Sequence, residues 1–188
     1  MNTPAHGIIS LMMLDHGKGN KNLTLPIALG AILPEAPIFL FWLIQKFILS
    51  KPEAWIWSLT HDRPAWQLSV DLLNSLPIIL IALLITLWIK HSWLIAFFAS
   101  AALHLLCDLP FHGKEAWQHW LPFKHWQLDD CISYQQSATG ESWHFFTEIA
   151  LVLIGSLYLI RKKTQATRIA AIFFLVSYAA CLIYAWSN

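Results

Sequence analysis

The chain has 188 residues, of which 57% are hydrophobic and only 12% charged, with a formal net charge of +1. A soluble domain usually carries about 25% charged side chains, so this composition cannot furnish a surface that faces water on every side. The near-zero charge and the lack of a basic run exclude nucleic acid as a default partner, and Cys107, Cys131 and Cys181, odd in number and without CxxC spacing, point to neither a disulfide framework nor a thiolate zinc site.

Crossing a bilayer takes about 20 mostly apolar residues at roughly 1.5 Å of rise each. The first apolar stretch, residues 4–14, is too short to cross and is predicted as a short N-terminal helix, re-entrant or packed. Met1 to Asp15 has no basic n-region and no long apolar run, so it does not read as a cleaved signal peptide, and insertion falls to the internal helices. Segments of spanning length follow at 24–49, 72–90, 92–110, 143–161 and 168–187. They predict an all-α fold, an integral membrane bundle of about five transmembrane helices, in a single domain over residues 1–188. No internal repeat is visible, and the longest polar connection is 111–142.

Lys and Arg are retained in cytoplasmic loops. Lys18 and Lys21 mark the start of the first span as cytoplasmic, Lys90 marks one tight connection, and Arg161, Lys162, Lys163 and Arg168 mark the other. The N-terminus is therefore expected in the cytoplasm, with 50–71 and 111–142 outside. Those outer segments hold Trp55, Trp57, Trp66, Trp117, Trp120 and Trp126. Indole rings favour the headgroup level, where the ring is buried and its N–H stays wet, so these tryptophans read as an interface belt.

Several residues stand where apolar ones belong. Glu35 lies in the first span, His104 and Asp108 in the third, and Glu148 one turn into the fourth with His144 at its mouth. Three carboxylates at mid-bilayer would cost on the order of 8 to 10 kcal/mol on insertion scales, so something must offset them. His104 and Asp108 form an HxxxD pair and His144 and Glu148 an HxxxE pair, a spacing that puts both members on one helix face. His112 extends the first row by a turn if the helix continues past Pro110, His119 is an alternative to it, and His61 with Asp62 lies in the outer loop. Imidazole nitrogen and carboxylate oxygen are suitable ligands for zinc.

Depth gives an independent estimate. Measured from the cytoplasmic ends, Glu35 would lie roughly 15 Å deep, His104 roughly 18 Å, Glu148 roughly 20 Å, Asp108 roughly 24 Å and His144 roughly 26 Å. A helix over 4–14 folding back from the Lys18 loop would bring His6 to about 15 Å, beside Glu35. Such groups can hold a metal, line a proton or ion path, or bond helix to helix.

The motifs "TPAH" with His6, "LGAILPEAP" with Glu35, "LTHD" with His61, "HLLCDLPFH" with His104, Asp108 and His112, and "WHFFTE" with His144 and Glu148 occur in that order. This order resembles the zinc-dependent phospholipase C and P1-type nuclease superfamily, and in particular its YdjM-like membrane-bound metal-dependent hydrolases. The resemblance covers residues 1–148; Glu35 stands where the relatives usually show an Asp, and "HGKEAWQHW" where they carry an acidic, His-rich run. It implies that Glu35, His61, His104 and Asp108 hold one zinc ion and that His112, His144 and Glu148 hold a second, with Asp108 able to bridge to a third. It further implies hydrolysis of a phosphoester, with a lipid or lipid-linked phosphate suited to a site opening toward the outer leaflet, in a bacterial inner (plasma) membrane.

Metal-assisted phosphoester hydrolysis needs an activated water, a polarised oxygen and a stabilised leaving group. Glu35 or Asp62 would take the proton from the attacking water. Arg63 or Lys114, by charge and by their side of the membrane, would hold the phosphate. The competing reading is a non-catalytic or proton-coupled small membrane protein with a degenerate metal site, although five spans without an inverted repeat do not suggest a transporter.

Overall fold

A computed structural model of the chain describes residues 1–15, 22–58, 64–109, 121–122, 141–162 and 164–187. The described residues are helical throughout, with no strand among them. In chain order they form α1 (Thr3–Leu14), α2 (Thr24–Ile32), a 3-10 turn (Leu33–Glu35), α3 (Ala36–Leu43) and a π turn (Ile44–Ile48). After these come α4 (Glu53–Ser58), α5 (Pro64–Leu73), α6 (Leu76–Trp88), α7 (Ser92–Asp108), α8 (Glu141–Lys162) and α9 (Gln165–Ser187).

Thr24–Ile48 and Gln165–Tyr184 are long and apolar enough to cross a membrane, and the pair Trp66–Leu73 and Leu76–Trp88, bent by 52°, adds a third if it counts as one span. Among the described residues these are two or three of the about five spans that hydropathy predicts. The apolar stretch 92–110 becomes α7, whose 17 residues reach about 25 Å, less than the hydrocarbon core of about 30 Å. The 22-residue α8 carries Glu141, Glu148, Arg161 and Lys162. Outward-facing side chains nonetheless follow the membrane pattern, with large apolar groups such as Leu84, Ile154, Phe173 and Val176 exposed.

The short α1 is the hub of the bundle. Pro4 in its first turn occupies a position where a missing N–H is tolerated, and Ala5, Ile8 and Leu11 are fully buried. They pack against Ile27 of α2, Val152 and Leu159 of α8, and Ala171, Phe174 and Tyr178 of α9. A second apolar cluster, Leu76, Ile79, Ala101, Ala102 and Leu105, joins α6 to α7. The stretch over 4–14 is thus a packed helix, enclosed by α2, α7, α8 and α9.

At its far end α1 is pinned by a buried polar knot. The Asp15 carboxylate accepts from the Thr24 hydroxyl at 3.2 Å and from the Thr167 hydroxyl, and the Thr164 hydroxyl lies 2.9 Å from that of Thr167. Three helix ends are tied by one carboxylate. Replacing fully buried Thr167 by Val keeps the shape and removes one donor to a charged acceptor, which should destabilise the protein by about 1.5 to 3 kcal/mol. Thermal melting in detergent measures this, and an unchanged midpoint would show that the hydroxyl contributes nothing.

The long span is interrupted for a covalent reason. Pro34 and Pro37 lack the N–H that an α-helix returns to the fourth preceding carbonyl, and between them the chain tightens into the 3-10 turn. Within a membrane such a break is tolerated when neighbouring helices satisfy the freed backbone groups. The Leu33 carbonyl, four residues before Pro37, is taken by the Ala36 N–H. Side chains of neighbouring helices bond other carbonyls along the segment: the Ser100 hydroxyl donates to Ile27 O at 2.7 Å, His104 Nδ1 lies 2.7 Å from Ala31 O, and Asn74 Nδ2 donates to Pro34 O at 2.9 Å. Gly30 lets α2 and α7 approach to backbone contact between the first two of these.

Beyond the π turn, Glu53 accepts from Trp42 Nε1 and Lys46 Nζ, each at 3.1 Å. The Tyr184 hydroxyl, the Trp42 N–H and Lys46 together hold its carboxyl down at about 2. A carboxyl lowered on folding stabilises above its unfolded value and loses that contribution as pH falls through the folded one, so this clamp persists at neutral pH.

Candidate metal centre

Four side chains from three parts of the bundle meet beside the 3-10 turn. His6 comes from α1, Glu35 ends the turn, and His104 and Asp108 lie one helical turn apart on α7. Each offers one ligand atom, and those atoms all lie within 4.8 Å of one another. His6, His104 and Asp108 are almost fully buried, at 1%, 1% and 3% exposure.

The contacts within the group are short but poorly aligned for hydrogen bonding. His6 Nε2 is 2.9 Å from Asp108 Oδ1, and His104 Nε2 is 3.1 Å from Asp108 Oδ2. Neither nitrogen makes a hydrogen bond, because the oxygens stand off the axis along which a ring nitrogen donates. The two imidazoles are stacked, with centroids 3.8 Å apart and planes at 17°.

His104 can be assigned further. Its Nδ1 faces the Ala31 carbonyl at 2.7 Å, and a carbonyl can only accept, so Nδ1 carries a proton. In the neutral ring Nε2 then bears a lone pair and confronts a carboxylate oxygen. Two acceptors at that distance repel unless a proton or a metal cation lies between them. A histidine whose second nitrogen is held by a backbone carbonyl is also the common arrangement for a metal ligand.

The N-terminal residues border the group. The Met1 amino group lies 3.1 Å from Asp108 Oδ1, while Asn2 donates from both its backbone N and its Nδ2 to Glu148 Oε1, each at 3.1 Å. Glu148 is buried at 5% exposure but is not one of the four converging residues.

The candidate ligands named from sequence therefore fall into three groups. His6, Glu35, His104 and Asp108 come together. Glu148 lies next to them through Asn2 and Met1, and His144 belongs to α8 with its side chain outside the described residues. His61, Asp62, Arg63, His112, Lys114 and His119 lie outside the described residues. Sequence reasoning missed the carbonyls of Ala31 and Pro34 and the roles of Asn2 and Asn74. The proline pair around Glu35 signalled a break in the helix there, but not which carbonyls neighbouring side chains would bond.

Comparison with protein-family models, with curated proteins and with solved structures returned no match.

Proposed function

We propose that this chain is a membrane-embedded, metal-dependent hydrolase in which His6, Glu35, His104 and Asp108 hold a divalent cation, with a phosphoester as substrate. The observation that carries the metal is the close approach of the His104 Nε2 lone pair to an Asp108 oxygen at 3.1 Å in a buried group that also holds His6 and Glu35. Two imidazoles and two carboxylates suit zinc, which takes mixed nitrogen and oxygen ligands. Bound there, the ion would supply Lewis acidity and a water that ionises near neutral pH. The choice of hydrolysis rests on the YdjM-like motif order, which also suggests a second ion at Glu148, His144 and either His112 or His119.

The chain's own residues then divide the remaining work. Asp62 or Glu35 takes the proton of the attacking water, and Arg63 or Lys114 binds the phosphate on the outer side. In this reading the broken helix Thr24–Ile48, the bent α5–α6 pair, α7, α8 and α9 make five crossings around α1. The connections carrying Lys90 and Arg161 to Arg168 face the cytoplasm of a bacterial inner membrane, and a lipid or lipid-linked phosphate reaches the site from the outer leaflet.

Protein purified in detergent and equilibrated with zinc should retain at least about one ion per chain, as elemental analysis would show. It should also release phosphate or a phosphorylated headgroup from phospholipid or lipid-linked phosphate presented in mixed micelles, and a chelator should stop that release. Less than a tenth of an equivalent of zinc would dismiss the metal reading. Full zinc loading without phosphoester cleavage would leave a metal protein and dismiss the hydrolase.

A further inference from the structure

We propose that Asn74 is a positioning residue that sets the Glu35 arm of the metal centre, an inference that rests on the metal-binding reading above. Asn74 lies in the break between α5 and α6 and is only 3% exposed. A buried amide in an apolar bundle is unfavourable unless it is hydrogen-bonded. Its Nδ2 donates to Val70 O of its own helix at 3.0 Å and to Pro34 O at 2.9 Å. With those two bonds the amide cannot rotate without losing one of them.

Pro34 O is the carbonyl immediately before Glu35, inside the turn that interrupts the long span. That turn lacks two backbone donors, at Pro34 and Pro37, so its own hydrogen bonding defines it less firmly than a continuous helix would be. On one side His104 grips Ala31 O; on the other Asn74 grips Pro34 O. The turn is thereby clamped from α7 and from the α5–α6 break, and the direction in which Glu35 leaves the backbone follows from the clamp. Asn74 acts on the ion through the turn that carries Glu35.

The test uses the full chain in detergent and the substitution Asn74→Ser. A serine hydroxyl can still return a bond to the carbonyl four residues back, keeping the contact to Val70 O, but it is too short to cross to Pro34. Zinc affinity is measured by competition with a chromophoric chelator, and the ligand field is read from the visible spectrum of bound cobalt(II). Asn74→Ser should weaken zinc binding by about tenfold, as loss of a group supporting a ligand generally does, and should shift the cobalt bands. In a Glu35→Ala background the same substitution should change affinity by less than about twofold, because the two act through one arm. Asn74→Ala gives a second pair for the same comparison should the serine variant not yield monodisperse protein.

Equal losses in both backgrounds, or an unchanged affinity and cobalt spectrum in Asn74→Ser, would overturn the assignment while leaving the metal centre standing. Failure of the unsubstituted chain to bind zinc or cobalt would instead overturn the metal reading, and this inference with it.

Discussion

Asp108→Asn is expected to lower zinc affinity by about a hundredfold or more, equivalent to about 2.7 kcal/mol, while leaving the melting temperature of the metal-free protein unchanged or raised. The carboxylate stands between both imidazoles, with Oδ1 facing His6 Nε2 and Oδ2 facing His104 Nε2. Asparagine has the same shape but one oxygen becomes an NH2 donor and the charge is lost. Zinc loses an anionic ligand at the centre of the group. The lone pair on His104 Nε2, by contrast, gains a donor where it now meets an acceptor, which relieves a repulsion between buried groups. Metal binding and stability therefore part company, and chelator competition together with thermal melting of the chelated protein reads both. A carboxylate serving only as a structural partner of protonated histidine would give the reverse, a marked fall in melting temperature with no zinc to lose.

Gly30→Ala is expected to damage the fold and the site together. A Cβ at Gly30 would stand 2.1 Å from the carbonyl oxygen of Phe97, 2.9 Å from its carbon and 2.9 Å from Ser100 Cβ. Two of these atoms are backbone, so no side-chain rotation relieves the overlap and α2 must move away from α7. The bonds from Ser100 to Ile27 O and from His104 to Ala31 O bracket that contact and would stretch with it. Overpacking a core commonly costs 1 to 3 kcal/mol, and a clash with backbone belongs at or above the top of that range, about 3 kcal/mol. Melting should fall and zinc affinity with it, since His104 loses the carbonyl that orients its ring. Gly155→Ala is a comparison without a backbone clash: there the added carbon meets Met12 Sδ, on a flexible side chain, and Ile8 Cγ2, on a buried β-branched one that gives little, so melting should fall there as well while the α2–α7 contact stays intact. An unchanged melting point in Gly30→Ala would show that α2 and α7 are not in backbone contact.

The parts of this fold that sequence made legible are those governed by local periodicity and composition. Apolar runs located the long helices but not α4 or most of α5, which lie in the connection 50–71, and the four-residue spacing put His104 and Asp108 on one face of α7. Depth reckoned from helix rise also put His6 beside Glu35, where the structure has it. Span number was legible only in part, because a run of apolar residues says little about the charges at its ends: α8 is bounded by Glu141 and Lys162, and α7 stops at Asp108 after 17 residues. What could not be read at all is tertiary. Asn74 and Pro34 are separated by 40 residues in sequence, as are many chance pairs, and only folding shows that one bonds to the other. The place of α1 at the hub was hidden for the same reason, since a short, mostly apolar helix suits the edge of a bundle or its centre equally well.

The central place of α1 constrains the order in which the protein is made. A ribosome delivers α1 well before Val152, Leu159, Ala171 and Phe174, which surround it and belong to α8 and α9. Until those arrive, Ile8 and Leu11 have only part of their final packing, and His6 waits on a segment that α8 and α9 have not yet enclosed. Closure of the bundle around α1 then waits for α8 and α9, and His6 gains its full enclosure only after both have been made.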